Sequence, residues 1–173
     1  MSNTIITIIG IFLAAVLMFV FPLLSVSERN DDISQLAVQT ATTDFVNKVK
    51  TSGSVTEQNY GAFIQTLNAT GNTFDVDVEL KILDENLNTK VGQANLEKIG
   101  ENVYYSVYTS QMESELKSSG KYKLKEGDMI AVTVKNTNKT IAQMLKNFFY
   151  SITGNDSYQI AASQTTMITA NGK

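Results

Sequence analysis

The chain contains no cysteine, no histidine and no tryptophan. Disulfides, Cys/His zinc sites, haem ligation through histidine and every catalytic dyad or triad built on Cys or His are thereby excluded. Proline occurs once, at Pro22, and arginine once, at Arg29. Positive charge is not in excess either, since 14 Lys+Arg stand against 17 Asp+Glu, a net charge of -3 at pH 7. A nucleic-acid binder wants a basic face, so that class of partner is not expected. No glycine-rich phosphate loop is present and no internal repeat recurs, and no cofactor is expected. Charged residues make up only 18% of the chain. The shortfall has one source, because residues 1–27 carry no charged side chain at all.

What is present is a 173-residue chain with 43% hydrophobic residues. That is ample for a buried core and argues against general disorder. The apolar residues are densest at residues 5–24, where Thr7 is the only polar side chain. At about 1.5 Å per residue this run covers roughly 30 Å, the thickness of a bilayer's hydrocarbon core. It reads as a retained membrane anchor over residues 1–27. A cleaved signal peptide is the rival reading, with Ser25-Val26-Ser27 as a small-residue site. The missing basic n-region and the length of the run weigh against it. No Lys or Arg precedes the span to fix its orientation, and the large C-terminal part is expected outside the cell membrane or on a cell-surface filament. Pro22 removes one backbone donor and predicts a kink near the outer end. Gly10, Ala14 and Ala15 are small residues at close helical spacing, room for another helix to approach. Gly10, Ala14, Ala15 and Pro22 are therefore the candidate helix-packing and assembly residues, and the expected partners are the lipid bilayer and further copies of the chain.

Beyond Ser27, Ile33, Leu36, Ala37, Thr40, Ala41, Phe45 and Val49 recur in steps of three and four. That periodicity predicts one helical stripe packed on a soluble domain. Ser52-Gly53 stops the pattern, with Lys48 and Lys50 in the last turn. The simplest picture is a single helix over residues 4–51, on the order of 70 Å long. A separate juxtamembrane helix after a bend at residues 25–27 is the alternative. The organisation is then an anchor at 1–27, an amphipathic continuation at 28–52 and an α+β domain at 53–173.

Within that domain Ser54-Val55-Thr56-Glu57 has the pattern of a capping box. It opens a short helix with Tyr60, Phe63, Ile64 and Leu67 on one face. Phe74, Val76, Val78, Leu80 and Ile82 then alternate with Asp75, Asp77, Glu79 and Lys81, a strand with one core face and one wet face. Residues 84–86 turn the chain, and 91–99 reads as a second, weaker strand. Tyr104, Val107, Tyr108, Met112 and Leu116 predict a helix closed at Gly120. An edge strand is expected at 121–125, a strand at 129–135, a helix carrying Ile141, Met144, Leu145, Phe148, Phe149 and Ile152, and a final strand within 157–170. Phe45, Phe63, Val76, Val78, Ile130, Val132, Leu145, Phe148 and Ile160 are expected to be buried together.

Chemistry-bearing patterns are sparse. Asp75, Asp77 and Glu79 lie about 7 Å apart along one strand face. A hard cation could be held there only with help from a neighbour, and a solvated face is the simpler reading. Asp84-Glu85-Asn86-Leu87-Asn88 opens like a calcium loop, but Thr89 stands where glycine is needed and Asn95 where glutamate is needed. Asn68, Asn138 and Asn155 head glycosylation sequons. Lys117, Lys121, Lys123 and Lys125 fit an edge protected by lysines, or a surface meeting anionic lipid. Nothing converges as a catalytic set, and no enzyme is expected.

An uncharged span containing a proline, continued by an amphipathic helix into an α+β domain, resembles a type IV pilin or pseudopilin. The C-terminal stretch narrows this. Gly127-Asp128-Met129-Ile130-Ala131-Val132-Thr133-Val134, the apolar helix at 141–152, and Tyr158-Gln159-Ile160-Ala161-Ala162-Ser163 with its Thr-rich continuation are similar to TadE/TadF-like minor pilins of tight-adherence systems. The chain departs from pilins in having no basic-Gly site before the span and no glutamate at the start of the hydrophobic helix. The resemblance implies a pilin-like fold, with a long first helix packed on a small antiparallel sheet and short helices. It further implies a structural subunit or minor component of a filament or secretion/adhesion apparatus, joined through that helix to itself or to other pilin-like subunits. A monomeric membrane-anchored binding or sensor domain outside the cytoplasm is the alternative.

Overall fold

The computed structural model describes residues 2–84, 104–150 and 160–172, with backbone alone for Ser2 and residues 148–150. The expected long helix is one continuous element, α1 (Ser2–Ser52), with Pro22 inside it. It is helical throughout residues 25–27, so no separate juxtamembrane helix begins there. Gly53 ends it in the left-handed region, at φ 65°. Glycine is required there for a second reason. A Cβ at this position would run into the backbone of Ala170, Asn171 and Gly172.

The domain follows in the order β1 (Ser54–Thr56), α2 (Glu57–Asn68), β2 (Phe74–Leu83), β3 (Tyr104–Tyr108), α3 (Thr109–Ser119), β4 (Lys121–Lys123), β5 (Met129–Asn136), α4 (Ile141–Tyr150) and β6 (Ala161–Met167). It is α+β. One antiparallel sheet has the order β3-β2-β5-β6, and β1 pairs separately with β4. The β2–β5 register sets Val76 opposite Val134, Val78 opposite Val132 and Leu80 opposite Ile130. One sheet face is thereby a continuous β-branched and aliphatic surface, as the alternation in β2 demands.

The core lies between that face and α1 and α2. Phe45 of α1 stacks on Phe63 of α2 with ring centroids 4.6 Å apart, and Tyr60 leans on the same ring. Val38, Val46, Val49, Leu67, Val78, Leu80, Met112, Ile130, Val132 and Ile160 complete the buried cluster. Of the expected core, Phe45, Phe63, Val78, Ile130, Val132 and Ile160 are buried, while Val76 and Leu145 are only half-buried. The side chain of Phe148 lies outside the described residues.

Three local expectations change. Ser54 is in strand β1, and the cap of α2 is Thr56, whose hydroxyl accepts from the Asn59 N–H at 3.2 Å. The helix expected from Tyr104 begins only at Thr109. Its first five positions are β-branched, aromatic or small, and pair as β3 with Glu79 to Leu83 of β2. The Thr109 hydroxyl then accepts from the Val78 N–H at 2.7 Å, which ties the start of α3 to the sheet.

The third change concerns α1. Its buried stripe is Ser27, Asp31, Ser34, Val38, Thr42, Phe45, Val46 and Val49. Ile33 and Leu36, expected on that stripe, face away from the domain at 60% and 65% exposure. Thr40 is exposed as well, and Ala37 and Ala41 are half-buried. The helix presents polar side chains to the domain near the span and apolar ones farther from it. Of the turn expected at 84–86 only Asp84 is described, and the strand expected at 91–99 and the sequon at Asn155 lie outside the described residues.

Candidate functional site

The acidic strand face offers little chemistry. Asp75 and Asp77 are exposed. Glu79 accepts from the Ser106 hydroxyl at 2.6 Å and lies 4.0 Å from Lys81, and the Thr109 hydroxyl lies 3.3 Å from Asp77. Among the described residues no group of three or more Asp, Glu, His or Cys side chains could hold a metal ion. Buried Asp128 has a structural task, accepting from the Leu83 N–H at 2.9 Å and the Lys125 N–H at 2.7 Å. Tyr60 donates to Glu113 Oε1 at 2.8 Å, joining α2 to α3. Burial, then that hydrogen bond and the Glu113 charge, hold the Tyr60 hydroxyl well above the ordinary tyrosine range. Tyr122 is raised too, chiefly by burial. Lys117, Lys121, Lys123 and Lys125 are all exposed. The Asn138 amide is committed, accepting from the Thr73 N–H and donating to Asn72 Oδ1.

The unusual surface is the part of the domain nearest the apolar run. There α1 and α4 meet through polar groups. The Thr140 hydroxyl donates to Asp31 Oδ2 at 2.6 Å and accepts from the Gln143 N–H at 3.2 Å. Gln143 Oε1 in turn accepts from the Thr140 N–H at 3.1 Å. This is a reciprocal capping box at the start of α4, tied to α1 through a carboxylate only 7% exposed. One turn along α1, Gln35 both donates to the Ala161 carbonyl and accepts from the Ala161 N–H. Its amide thus satisfies the backbone at the start of β6 as a neighbouring strand would. Farther along α4, Lys146 pairs with Glu28 at 2.8 Å. A cleft of about 360 Å³ lies between the two helices, lined by Glu28, Asp31, Asp32, Ala142, Gln143 and Lys146.

The contacts fix the direction of α4. Its start meets Asp31 and its later part meets Glu28. It therefore runs back along α1 toward the apolar run. They also fix which side faces inward. Gln143 is buried and Lys146 is held by Glu28, whereas Ile141 and Met144 are 55% and 52% exposed. The helix turns Gln143 and Lys146 inward beside buried Ala142, keeps Leu145 half-buried, and leaves two large apolar side chains, Ile141 and Met144, facing out.

Of the residues singled out from sequence, Gly10, Ala14, Ala15 and Pro22 are all exposed on α1. A Cβ added at Gly10 would meet nothing within 4 Å. The stretch around them is apolar and long enough to cross a membrane. The inter-helix polar set was not anticipated. Thr140-Ile141-Ala142-Gln143 carries the S/T-x-x-Q signature of a capping box and was available to find it. Asp31 and Gln35 are four apart, which puts them on one helix face. No protein-family model, curated protein or solved structure matches the chain.

Proposed function

We propose that this chain is a structural subunit of a pilin-like filament or secretion/adhesion apparatus. It is anchored in the membrane through the first half of α1 and joined to its own copies along that helix, with the domain outside. The observation that carries this reading is the outward face of α1. Val26, Ile33 and Leu36 are exposed there, continuing the apolar surface of the span past the first charged residues. Leu36 lies nine residues beyond Ser27, or about 14 Å along the helix. A headgroup layer is about 5–7 Å deep. Lipid therefore does not reach Leu36, and the domain's own side chains lie on the opposite side of α1. The covering that remains is another chain. Within the span, Gly10 and Ala14 are small residues one turn apart and exposed, room for another helix to approach closely.

The absence of cysteine makes the test clean. Leu36→Cys, introduced into the full chain and oxidised in membranes, should give covalently linked copies. Gln58→Cys on exposed α2 should not. Gly10→Leu should abolish the cross-link at position 36. A Leu36→Cys chain that remains monomeric at native membrane density would overturn the assembly reading and leave a monomeric anchored domain.

A further inference from the structure

We infer that α4 is a membrane-interface helix whose outward apolar face sits in the headgroup–acyl boundary of the leaflet beneath the domain. The inference rests on α1 spanning the membrane, but not on assembly between copies. The uncharged stretch of α1 ends at Ser27. Asp31, which holds the start of α4, is four residues farther on, about 6 Å above that point. Glu28, which holds Lys146, is only one residue above it. Since α4 runs toward the span, it descends from the level of Asp31 into the headgroup layer, where Lys146 is held at the level of Glu28.

A helix at that depth meets lipid on any side the protein leaves uncovered. The side α4 leaves uncovered is its apolar one, at Ile141 and Met144. Its polar side is spent on α1, through Gln143 and the Lys146–Glu28 pair. In water this orientation leaves two large apolar side chains without the burial that would stabilise them. At a bilayer interface it is the arrangement amphipathic helices adopt. The sequence adds a second pointer, because α4 ends in Phe148-Phe149-Tyr150, and aromatic residues are enriched at membrane–water boundaries. A second copy of the chain is the competing cover. Lipid is favoured by depth, since α4 starts at the level of Asp31 and runs toward the span, whereas Ile33 and Leu36 lie farther along α1 from it.

The test labels the full chain with an environment-sensitive nitrobenzoxadiazole probe at single introduced cysteines. It is reconstituted in phosphatidylcholine–phosphatidylglycerol vesicles at no more than one chain per vesicle. Met144→Cys and Ile141→Cys should show blue-shifted emission and quenching by lipid carrying a doxyl group high on its acyl chain. Gln58→Cys should show neither. Phe12→Cys, inside the span, should be quenched by a deeper doxyl. Water-like emission at 141 and 144 with a quenched Phe12→Cys probe would overturn the inference and leave the anchor intact. An unquenched Phe12→Cys probe would overturn both. Shielding at 144 that appears only when vesicles hold many chains would assign the face to a second copy and overturn the lipid assignment.

Discussion

The two ends of this domain are built on opposite rules. Far from the span, between Val38 and Gly53, α1 presents Phe45, Val46 and Val49 to a dry core and leaves Asp44, Asn47 and Lys48 in solvent. Near the span, between Ser27 and Gln35, the same helix presents Ser27, Asp31 and Ser34 inward and leaves Ile33 outside, with Leu36 just beyond. α4 repeats the inversion. Hydrophobic burial explains the first region without help. The second is not explained by burial among the described residues, because large apolar side chains left in water gain nothing while polar groups occupy the buried side. On the proposed reading, the difference marks where the domain meets a membrane or an assembly.

The comparison breaks most easily in the distal region. Phe45→Ala removes a ring that is 2% exposed and stacked on Phe63. The loss should be about 3–5 kcal/mol, the range for deleting a buried aromatic from a close-packed core. Chemical denaturation of the detergent-solubilised chain, followed through a domain-specific signal, measures it. A loss below about 1 kcal/mol would mean that the apolar-in rule does not hold even here.

The next effect probes the proximal region directly. Thr140→Val leaves the Asp31 carboxylate buried without its hydroxyl donor and removes the acceptor for the Gln143 N–H. About 2 kcal/mol should be lost, as for other buried groups left unsatisfied. Asp31→Leu combined with Thr140→Val replaces both partners by apolar groups, which can be nearly neutral. The double variant should therefore recover most of the loss in a double-mutant cycle. Recovery would show that the polar interior specifies how α4 sits rather than supplying stability. Strict additivity would mean that the two residues do not act on each other.

The same contrast explains what was legible in the sequence. β2 and β5 could be read because each alternates strictly and one face of the sheet is dry. The length of α1 was legible because nothing breaks it before Gly53. The burial of its second half was legible only at Phe45 and Val49, where apolar periodicity and tertiary packing agree. At Ile33 and Leu36 the periodicity was real but that face of α1 is turned away from the domain, so a rule that equates apolar with buried chose the wrong face. Leu145, expected in the core, is half-buried on α4. β3 was read as helix because Tyr104, Val107 and Tyr108 have helical spacing, and pairing with β2 overrides that pattern. The polar set at Asp31, Gln35 and Thr140 is assembled from residues more than 100 positions apart, with separations of 109 and 126. Local spacing cannot reveal it.

A smaller effect sharpens the distal side. Tyr60 sits at the rim of the apolar cluster and sends its hydroxyl outward to Glu113. Tyr60→Phe should cost about 1 kcal/mol near neutral pH, the usual net worth of such a bond. The pH dependence carries more information. Tyrosine's ordinary pKa is 10.0, and in the folded chain Tyr60 is raised above it. Below that value both states hold the proton and the difference contributes no slope. Above about pH 10 the unfolded chain releases it first, so this group's contribution is lost as pH rises. Wild type should lose stability between about pH 10 and 11 more steeply than Tyr60→Phe. Parallel curves would mean that the Tyr60 hydroxyl is no more protected than an exposed one.

The smallest effect on folding is the most telling for the proximal side. Ile33→Ser with Leu36→Ser replaces two large side chains that are 60% and 65% exposed. If they faced a core, the pair would cost several kcal/mol. Because they face outward, unfolding of the detergent-solubilised chain should shift by no more than about 0.5 kcal/mol. The cross-link through an introduced cysteine at Ala37, half-buried beside them, should nevertheless disappear from membranes carrying this variant. A large loss of stability would make these residues part of the domain and erase the inversion. Unchanged stability with unchanged cross-linking would keep the inversion but remove α1's outer face as the place where copies meet.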